Sequence, residues 1–259
     1  MLKLDSVKKP TVTVSVVSHG HGDLIRDLLD DLSQNLADPQ RVNVVVTYNI
    51  PGDSPVESDR YAFPITTLHN ASPKGFGVNH NAAFEIAKTQ YFAVLNPDLR
   101  LTGDPFDPLL SWLNRPDVGM AAPVVKGPDG DLQDSARRFP TPLSIAAKVF
   151  RRGLKLDYSD NGSAFRPDWS AGMFMLFRSD VFRRIGGFDE GYHLYYEDVD
   201  ICARLREAGL EVVVDPRAQV THHGARRSHH EMRYFRWHFA SMMRFFKRYP
   251  IGGPRRPLS

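Results

Sequence analysis

Apolar and polar positions along the chain alternate between two rhythms. Thr11–Ser18 (TVTVSVVS) is a β-branched run short enough for a buried strand, and it breaks at His19-Gly20-His21-Gly22. Leu24, Ile25, Leu28, Leu29 and Leu32 then recur at helical spacing. Val42–Tyr48 reads as a second buried strand ended by Asn49-Ile50-Pro51-Gly52, and Ile65–His69 as a short third. The loop Ser72–Gly77 leads into a helix expected from Val78 to Lys88. Tyr91–Leu95 (YFAVL) is a fourth strand, stopping at Asn96-Pro97-Asp98. Strands alternating with helices in this way predict an α/β sandwich on a largely parallel sheet.

The second half is less regular. Val118–Val125 predicts a strand, Gly127-Pro128-Asp129-Gly130 a turn, and Leu143–Leu156 a basic amphipathic stretch. Trp169–Phe177 (WSAGMFMLF) reads as one buried strand entered through Ala171-Gly172. Glu197–Ala208 predicts a helix with Ile201, Leu205 and Ala208 on one face and Gly209 as its cap. Glu211–Val214 is a further short strand. Met232–Tyr249 predicts a last helix with Met232, Phe235, Phe239, Met242, Met243 and Phe246 as its apolar stripe.

Composition narrows the class. A chain of 259 residues with 42% hydrophobic and 24% charged residues can bury one large core, which argues against disorder. Met1–Pro10 lacks the apolar core of a signal peptide, and no apolar run approaches the ~18 residues a membrane span needs. Cys202 is the single cysteine, which excludes an internal disulfide framework and fits a reducing cytosol. The net charge of +3 is uneven: from Arg226 on, nine basic residues face the single acid Glu231. Such a tail suits an anionic surface, a phosphorylated lipid or nucleic acid. Nucleic acid is disfavoured, because no reading motif accompanies the charge and it is confined to one end.

Three constellations carry chemistry. Asn96-Pro97-Asp98 follows a buried strand, where ligands of open α/β sheets bind, and Asp98 could hold Mg²⁺ or Mn²⁺ against a diphosphate. By itself the tripeptide could equally be a turn. Glu197-Asp198-Val199-Asp200 places three carboxylates at a helix start; one would cap it, and three repel one another unless a cation or a reacting group is near. Val220-Thr221-His222-His223-Gly224 offers His222 as a nitrogen ligand once the two acidic sites are counted with it, whereas His223, His229 and His230 read as ordinary polar residues. Gly75-Phe76-Gly77 does not complete a dinucleotide fingerprint, since Val78-Asn79-His80 follows, which removes the support for a nicotinamide enzyme.

In order and spacing, SVVSHGHGD, PKGFGVNHNAA, FAVLNPD, WSAGMFMLFR, GGFDEGYHLYYEDVDICARLREAG and VTHHG resemble the family 2 glycosyltransferases, from about Val12 to Ser228. VSHGHGD, ARRFP, DWSAGMFML and FRWHFASMMRF are similar to bacterial O-antigen rhamnosyltransferases, which act on N-acetylglucosaminyl-diphospho-undecaprenol. The resemblance implies a GT-A fold: a Rossmann-like, mixed and mostly parallel sheet flanked by helices. It implies a catalytic domain over residues 1–228, with a nucleotide-sugar half at about 11–100 and an acceptor half at about 101–228. Residues 229–259 would form a basic amphipathic helical extension.

The resemblance further implies Asp198 as catalytic base with Glu197 in support, and Asp98 with His222 as metal ligands. Ser18, His19, Asn49, Gly77, Asn81, Asn96 and Asp98 would border the nucleotide sugar. Arg137, Arg138, Trp169 and Gly172 stand as phosphate or acceptor contacts. Relatives often carry Asp-Asn after the second strand, where this chain has Tyr48-Asn49. The implied activity is inverting, metal-dependent transfer of L-rhamnose from dTDP-rhamnose to a GlcNAc-diphospho-polyprenol for O-antigen or related polysaccharide. The setting would be cytoplasmic, peripheral on the inner face of the inner membrane. Rival readings are a UDP-sugar transferase of the same family with another acceptor, or a carbohydrate- or nucleotide-binding module without catalysis. Mg²⁺ and Mn²⁺ both suit oxygen ligands. The final helix is expected to lie on an anionic membrane, to pack on the domain, or to form a homodimer contact.

Overall fold

The computed structural model describes residues 11–150, 156–224 and 232–254, without the side chains of 148–150. The β-branched runs become the parallel strands β1 (Val12–Ser18), β2 (Val42–Tyr48) and β3 (Ile65–His69), with β4 (Tyr91–Leu95) on the other side of β1. Their valines are buried on both faces, as a sheet covered by helices requires. Helix α1 (Gly22–Asn35) covers one face with Ile25, Leu28, Leu29 and Leu32; α2 (Phe76–Ile86) covers the other with Ala83 and Phe84. The strand order 3-2-1-4 reverses direction at β1, and a crevice opens beyond the carboxyl ends of β1 and β4. Ser18, Asn49 and Asn96-Pro97-Asp98 all follow strands that end at this edge.

The sheet continues as β9 (Phe174–Arg178), β6 (Val118–Lys126), β10 (Glu211–His222) and β5 (Leu99–Arg100). Only β9 and β5 run against their neighbours, so the sheet is mixed and mostly parallel, as expected. Helix α6 (Glu197–Glu207) lies on β6 because Gly119 leaves room: a Cβ there would stand 2.7 Å from Leu205 Cδ2. Helices α3 (Phe106–Leu113), α4 (Pro142–Phe150), α5 (Ser179–Arg184) and α7 (Met232–Arg248) complete the layers.

Several sequence expectations change. Helix α2 begins two residues earlier than expected, at Phe76. The WSAGMFMLF strand is split into β8 (Trp169–Ser170) and β9, because the chain turns at Ala171–Met173; β8 pairs instead with β7 (Ala136–Arg137). The strand expected at Glu211–Val214 runs on to His222, past a bulge at Pro216–Ala218 stabilised by Asp215, which accepts bonds from Trp112 Nε1 and the Arg217 backbone. Ala208 is exposed at the end of α6 rather than on its buried face. The end of the Leu143–Leu156 stretch lies partly outside the described residues, as do His229 and His230.

The apolar stripe of α7 divides: Met242 and Phe246 pack against the core, and the other four residues point outward. Met232, Phe235, Phe239 and Met243 are 78%, 67%, 51% and 52% exposed, whereas Ser241 and Phe245 take the buried positions. Among the described residues no helix is long and apolar enough to cross a membrane.

One ion pair fixes the edge of the sheet that bears Asp98. Asp31 on α1 accepts from Arg100 Nε and Nη2 at 2.7 and 2.9 Å, and from the Leu101 backbone at 2.8 Å. Replacing Asp31 by Ala strands the Leu101 N–H and leaves the Arg100 guanidinium only Asp27, at 3.2 Å. Because Arg100 is partly solvated, the expected loss is about 2 kcal/mol, read from urea unfolding. An unchanged midpoint would mean that β5 is held by its strand pairing alone.

Candidate active site

The carboxyl edge of the sheet carries three groups of polar residues. The first surrounds the β1–α1 loop. Ser18 is buried and its Oγ accepts from the His21 backbone at 3.1 Å; His19 is exposed, with Nδ1 3.2 Å from Asn49 Nδ2. Asn49 also accepts from Asn70 Nδ2 and the Lys74 backbone, while Asn79 accepts from Asn70. This amide network ties the ends of β1, β2 and β3 to the loop before α2. Tyr48 turns into the fold: it is buried, stacks on His69 at 4.9 Å, and its hydroxyl accepts from the Val56 backbone at 2.7 Å. The carboxylate nearest the Gly20 backbone comes from Asp53, whose Oδ2 accepts from Gly20 N–H at 3.1 Å.

Gly77 and Asn81 do different work from the loop residues. A Cβ on Gly77 would stand 2.8 Å from Phe188 Cβ, so the glycine allows α2 to press against segment 188–193. Asn81 holds the same segment: it accepts from Phe188 N–H and donates to Phe188 O and Glu190 Oε1. His80, buried between Ser15 and the Phe76 and Phe188 rings, is pushed down to about 3 by burial and stays neutral.

The second group is built by the antiparallel pairing of β5 with β10. His222 opposes Leu99, and His223 N–H donates to the Asp98 carbonyl at 3.0 Å. His222 Nε2 thereby lies 3.2 Å from Asp98 Oδ2. Burial alone would raise the Asp98 carboxyl, but the hydrogen bond and charge of His222 outweigh it and hold it below the usual range. Among the described residues no donor reaches the buried Asp98 Oδ1, and no third His, Cys, Asp or Glu joins the pair. A divalent cation fits this pair: it would engage the orphaned oxygen and leave its remaining positions to water and phosphate oxygens. His222 is also held by Gln133, a residue with no motif of its own to single it out. Asn96 joins through its backbone, donating to the Met173 carbonyl at 2.8 Å.

The third group opens α6. Tyr195 and Tyr196 both adopt left-handed backbone, with φ of 69° and 67°, a conformation costing roughly 1–3 kcal/mol per residue. Contacts from α7 hold them: Tyr196 packs on His238 and Phe245, and Ser241 Oγ donates to the Leu194 carbonyl at 2.9 Å. The kink presents Glu197 and Asp198 at the helix start. Asp198 accepts from Gly172 N–H at 3.1 Å and Val199 N–H at 2.8 Å. Burial raises its carboxyl despite those bonds and the charge of Arg137.

Glu197 is pushed higher by burial and by the charge of Asp198, and its Oε2 has no partner among the described residues. Both carboxyls are raised, and Glu197, without the two backbone donors of Asp198, is raised further, so Asp198 is the more readily ionised of the two. Asp200, fully buried and bonded to Arg204 at 2.7 Å, is a structural acid. Of the two arginines proposed from charge, Arg137 is close enough for its charge to lower the Asp198 carboxyl and stacks on Trp169 at 5.2 Å; Arg138 is exposed. Trp169 is buried, and its Nε1 donates to the Arg138 carbonyl. Gly172 leaves space for the Phe76 ring, 3.1 Å from where a Cβ would stand.

This geometry gathers the Asp98–His222 pair and the half-buried Asp198 at one edge of the sheet. Residues 10–240 match the family model described as glycosyltransferase like family 2. The chain belongs to glycosyltransferase family 2. It is 30% identical over 261 residues to the rhamnosyltransferase WbbL of Escherichia coli, covering 92% of this chain and 93% of that protein. It is 29% identical over 240 residues to the N-acetylglucosaminyl-diphospho-decaprenol L-rhamnosyltransferase of Mycobacterium tuberculosis, covering 82% and 76%. Among solved structures, GalNAc-T7 with UDP, GalNAc and Mn²⁺ superposes with a TM-score of 0.65 at 15% identity, over 83% of this chain and 43% of that one. The mannosyltransferase PcManGT of Pyrobaculum calidifontis, with GDP-Man and Mn²⁺, superposes at 0.61 with 18% identity, over 96% and 66%. The fold is GT-A, and the chain is a glycosyltransferase.

Asp198→Asn in this glycosyltransferase should lower turnover by about 10²–10⁴-fold while leaving the melting temperature undiminished, because a buried charge is removed. With wild-type protein, kcat/KM should fall as pH drops through a value above the ordinary aspartate range, since the raised Asp198 carboxyl must be ionised to accept a proton. A variant that transfers at the wild-type rate would remove Asp198 from the chemistry.

Proposed function

We propose that the chain transfers L-rhamnose from dTDP-rhamnose to a GlcNAc-diphospho-polyprenol by a single inverting displacement, in O-antigen or related cell-surface polysaccharide synthesis. The observation that carries this reading is the placement of the Asp98–His222 pair and Asp198 at the ends of one short segment, 133–137. Gln133 meets His222, and Arg137, bonded through Nε to Asp134, is close enough for its charge to lower the Asp198 carboxyl. The rhamnosyl assignment is supported by the names of the two similar enzymes, one of which includes the lipid-linked acceptor.

Asp198 accepts the proton of the acceptor hydroxyl as that oxygen attacks the anomeric carbon from the face opposite the diphosphate. Glu197 beside it, its carboxyl raised further, is the less readily ionised of the two. Ser18, His19 and Asn49 line the nucleoside end, with Asp53 supplying the carboxylate that Tyr48 lacks. Gly77 and Asn81 shape this pocket from behind by seating segment 188–193. Asn96 and Asp98 face the diphosphate, and Arg137 meets a phosphate of donor or acceptor, with Trp169 and Gly172 behind it. Asp98 and His222 would hold Mg²⁺ or Mn²⁺, which when bound neutralises charge on the departing nucleoside diphosphate. The nitrogen ligand favours Mn²⁺ over Mg²⁺. Because the protein offers two ligands, Mn²⁺ should bind weakly alone and tightly with UDP or dTDP present.

Residues 229–259 act as a docking extension for the cytoplasmic face of the inner membrane. The exposed face of α7, Met232, Phe235, Phe239 and Met243, continues to Ile251, which is 72% exposed. Arg236 and Lys247 flank it in solvent, whereas Arg244 and Arg248 turn inward to Asp189 and Glu207. An apolar face with a cationic margin suits an anionic bilayer. A UDP-sugar is the second reading of the donor, because Tyr48 is buried where relatives often carry an acid and so does not select thymidine over uridine.

Mass-spectrometric assay of a short-chain GlcNAc-diphospho-lipid with dTDP-rhamnose should show a gain of one deoxyhexose, abolished by chelator. Transfer from a UDP-sugar alone would discard the rhamnosyl assignment. In parallel, the protein should float with anionic vesicles, and Phe235→Asp with Phe239→Asp should release it. Wild-type protein that stays in the bulk phase argues against membrane docking.

A further inference from the structure

The His222 ring is gripped from the side away from Asp98. Gln133 lies on the return arm of the turn after β6, where its N–H donates to the Val125 carbonyl at 2.9 Å. Its side chain meets His222 twice: Nε2 donates to the His222 carbonyl at 3.1 Å, and Oε1 lies 2.9 Å from the ring Nδ1. A carbonyl oxygen can only accept, so the first contact fixes which end of the amide is nitrogen. The oxygen end then faces Nδ1, and Nδ1 must carry the proton and donate it.

In the neutral ring, a proton on Nδ1 leaves Nε2 with a bare lone pair. That lone pair faces Asp98 Oδ2 at 3.2 Å. Two acceptors set against one another at this distance repel unless a positive charge joins them: a second proton on Nε2, as in the hydrogen-bonded pair that lowers the Asp98 carboxyl, or a metal ion in its place. Gly224 encloses the ring from another side: a Cβ there would stand 2.6 Å from Cε1 and 3.1 Å from Nδ1. Any larger residue at 224 would displace the imidazole.

We infer that Gln133 is a positioning residue that sets the Nδ1–H tautomer of His222, with Gly224 giving the ring its space, so that Nε2 serves as a nitrogen ligand to a divalent cation. This rests on the metal reading given above. Partners in this outer position orient a metal-ligating imidazole and raise its basicity. The arrangement also links the two halves of the chemistry. Ala171 N–H donates to the Ser135 carbonyl at 2.7 Å, so the strand that places Gln133 on His222 also places Gly172 on Asp198.

Two measurements test this inference separately from the metal reading. Long-range ¹H–¹⁵N correlation on the metal-free protein, at a pH where imidazoles are neutral, reads the tautomer of His222 directly, assigned by loss of its signals in His222→Asn. The wild type should show Nδ1–H, and Gln133→Leu should shift the population toward Nε2–H. Gln133→Glu, which can accept from Nδ1–H without donating to the His222 carbonyl, should keep the wild-type tautomer.

Electron paramagnetic resonance titration of Mn²⁺ with dTDP present should show affinity lowered about 10–100-fold in Gln133→Leu and retained in Gln133→Glu. Wild-type His222 as Nε2–H overturns the inference, as does a folded Gln133→Leu with unchanged tautomer and Mn²⁺ affinity. If leucine disrupts the turn, loss of the Nδ1–H form in Gln133→Glu overturns it instead. Wild-type protein that binds no Mn²⁺ with either dTDP or UDP sinks the metal reading and the ligand role with it, while the tautomer result still reports on Gln133.

Discussion

The antiparallel contact of β5 with β10 is the constraint on which the site depends. It is short, with Thr221 opposite Arg100 and His222 opposite Leu99. Yet it brings an acid from the end of β4 within 3.2 Å of an imidazole from the far end of the chain. Three features make that contact hold. The Asp31–Arg100 pair pins β5 to α1, the bulge at Pro216–Ala218 redirects β10, and the His223 backbone bonds the Asp98 carbonyl. Without this edge, Asp98 would be one polar residue in a turn, and His222 one histidine near another.

Asp198 is positioned by a different device. Two consecutive left-handed tyrosines are an expensive way to begin a helix, and the backbone accepts them because α7 braces the segment from outside. Arg244 bonds Asp189 in a bidentate grip at 2.9 and 3.1 Å, Trp237 packs against His193 with ring centroids 4.4 Å apart, and Ser241 bonds the Leu194 carbonyl. The helix whose outer face is apolar and exposed is thus also the helix that holds the residues leading to Asp198. A change in how α7 is seated would be felt first at Asp198, since segment 189–196 is the element between them.

Burial then assigns the roles of the acids. Glu197, Asp198 and Asp200 sit at the start of one helix, but their surroundings separate them. Asp200 is paired with Arg204, Glu197 is pushed up hardest by burial and by its neighbour, and Asp198 has two backbone donors and the charge of Arg137 to offset its burial. Three like charges in one turn would be destabilising, and these unequal surroundings reduce that repulsion.

The sequence by itself determined what depends on local periodicity and on residue order. Short apolar or β-branched runs specified β1, β2, β3 and β4 to within a residue; β1, β2 and β4 are buried strands that need such composition whatever surrounds them, and β3 is the exposed edge. NPD, EDVD and THHG marked the acids and the histidine. Their chemistry is legible in residue type, and their order along the chain identified the family. Tertiary structure alone decided the rest. The break at Ala171–Met173, the length of β10 and the outward face of α7 follow from what each segment meets, and a run of apolar residues does not disclose its partners. Gln133 and Gly224 carry no signature of their own, since an amide and a glycine acquire their roles from the ring they enclose. Tyr48 shows the converse: a residue at a ligand-binding position in sequence became a core residue once the fold gave its ring a stacking partner and its hydroxyl a donor.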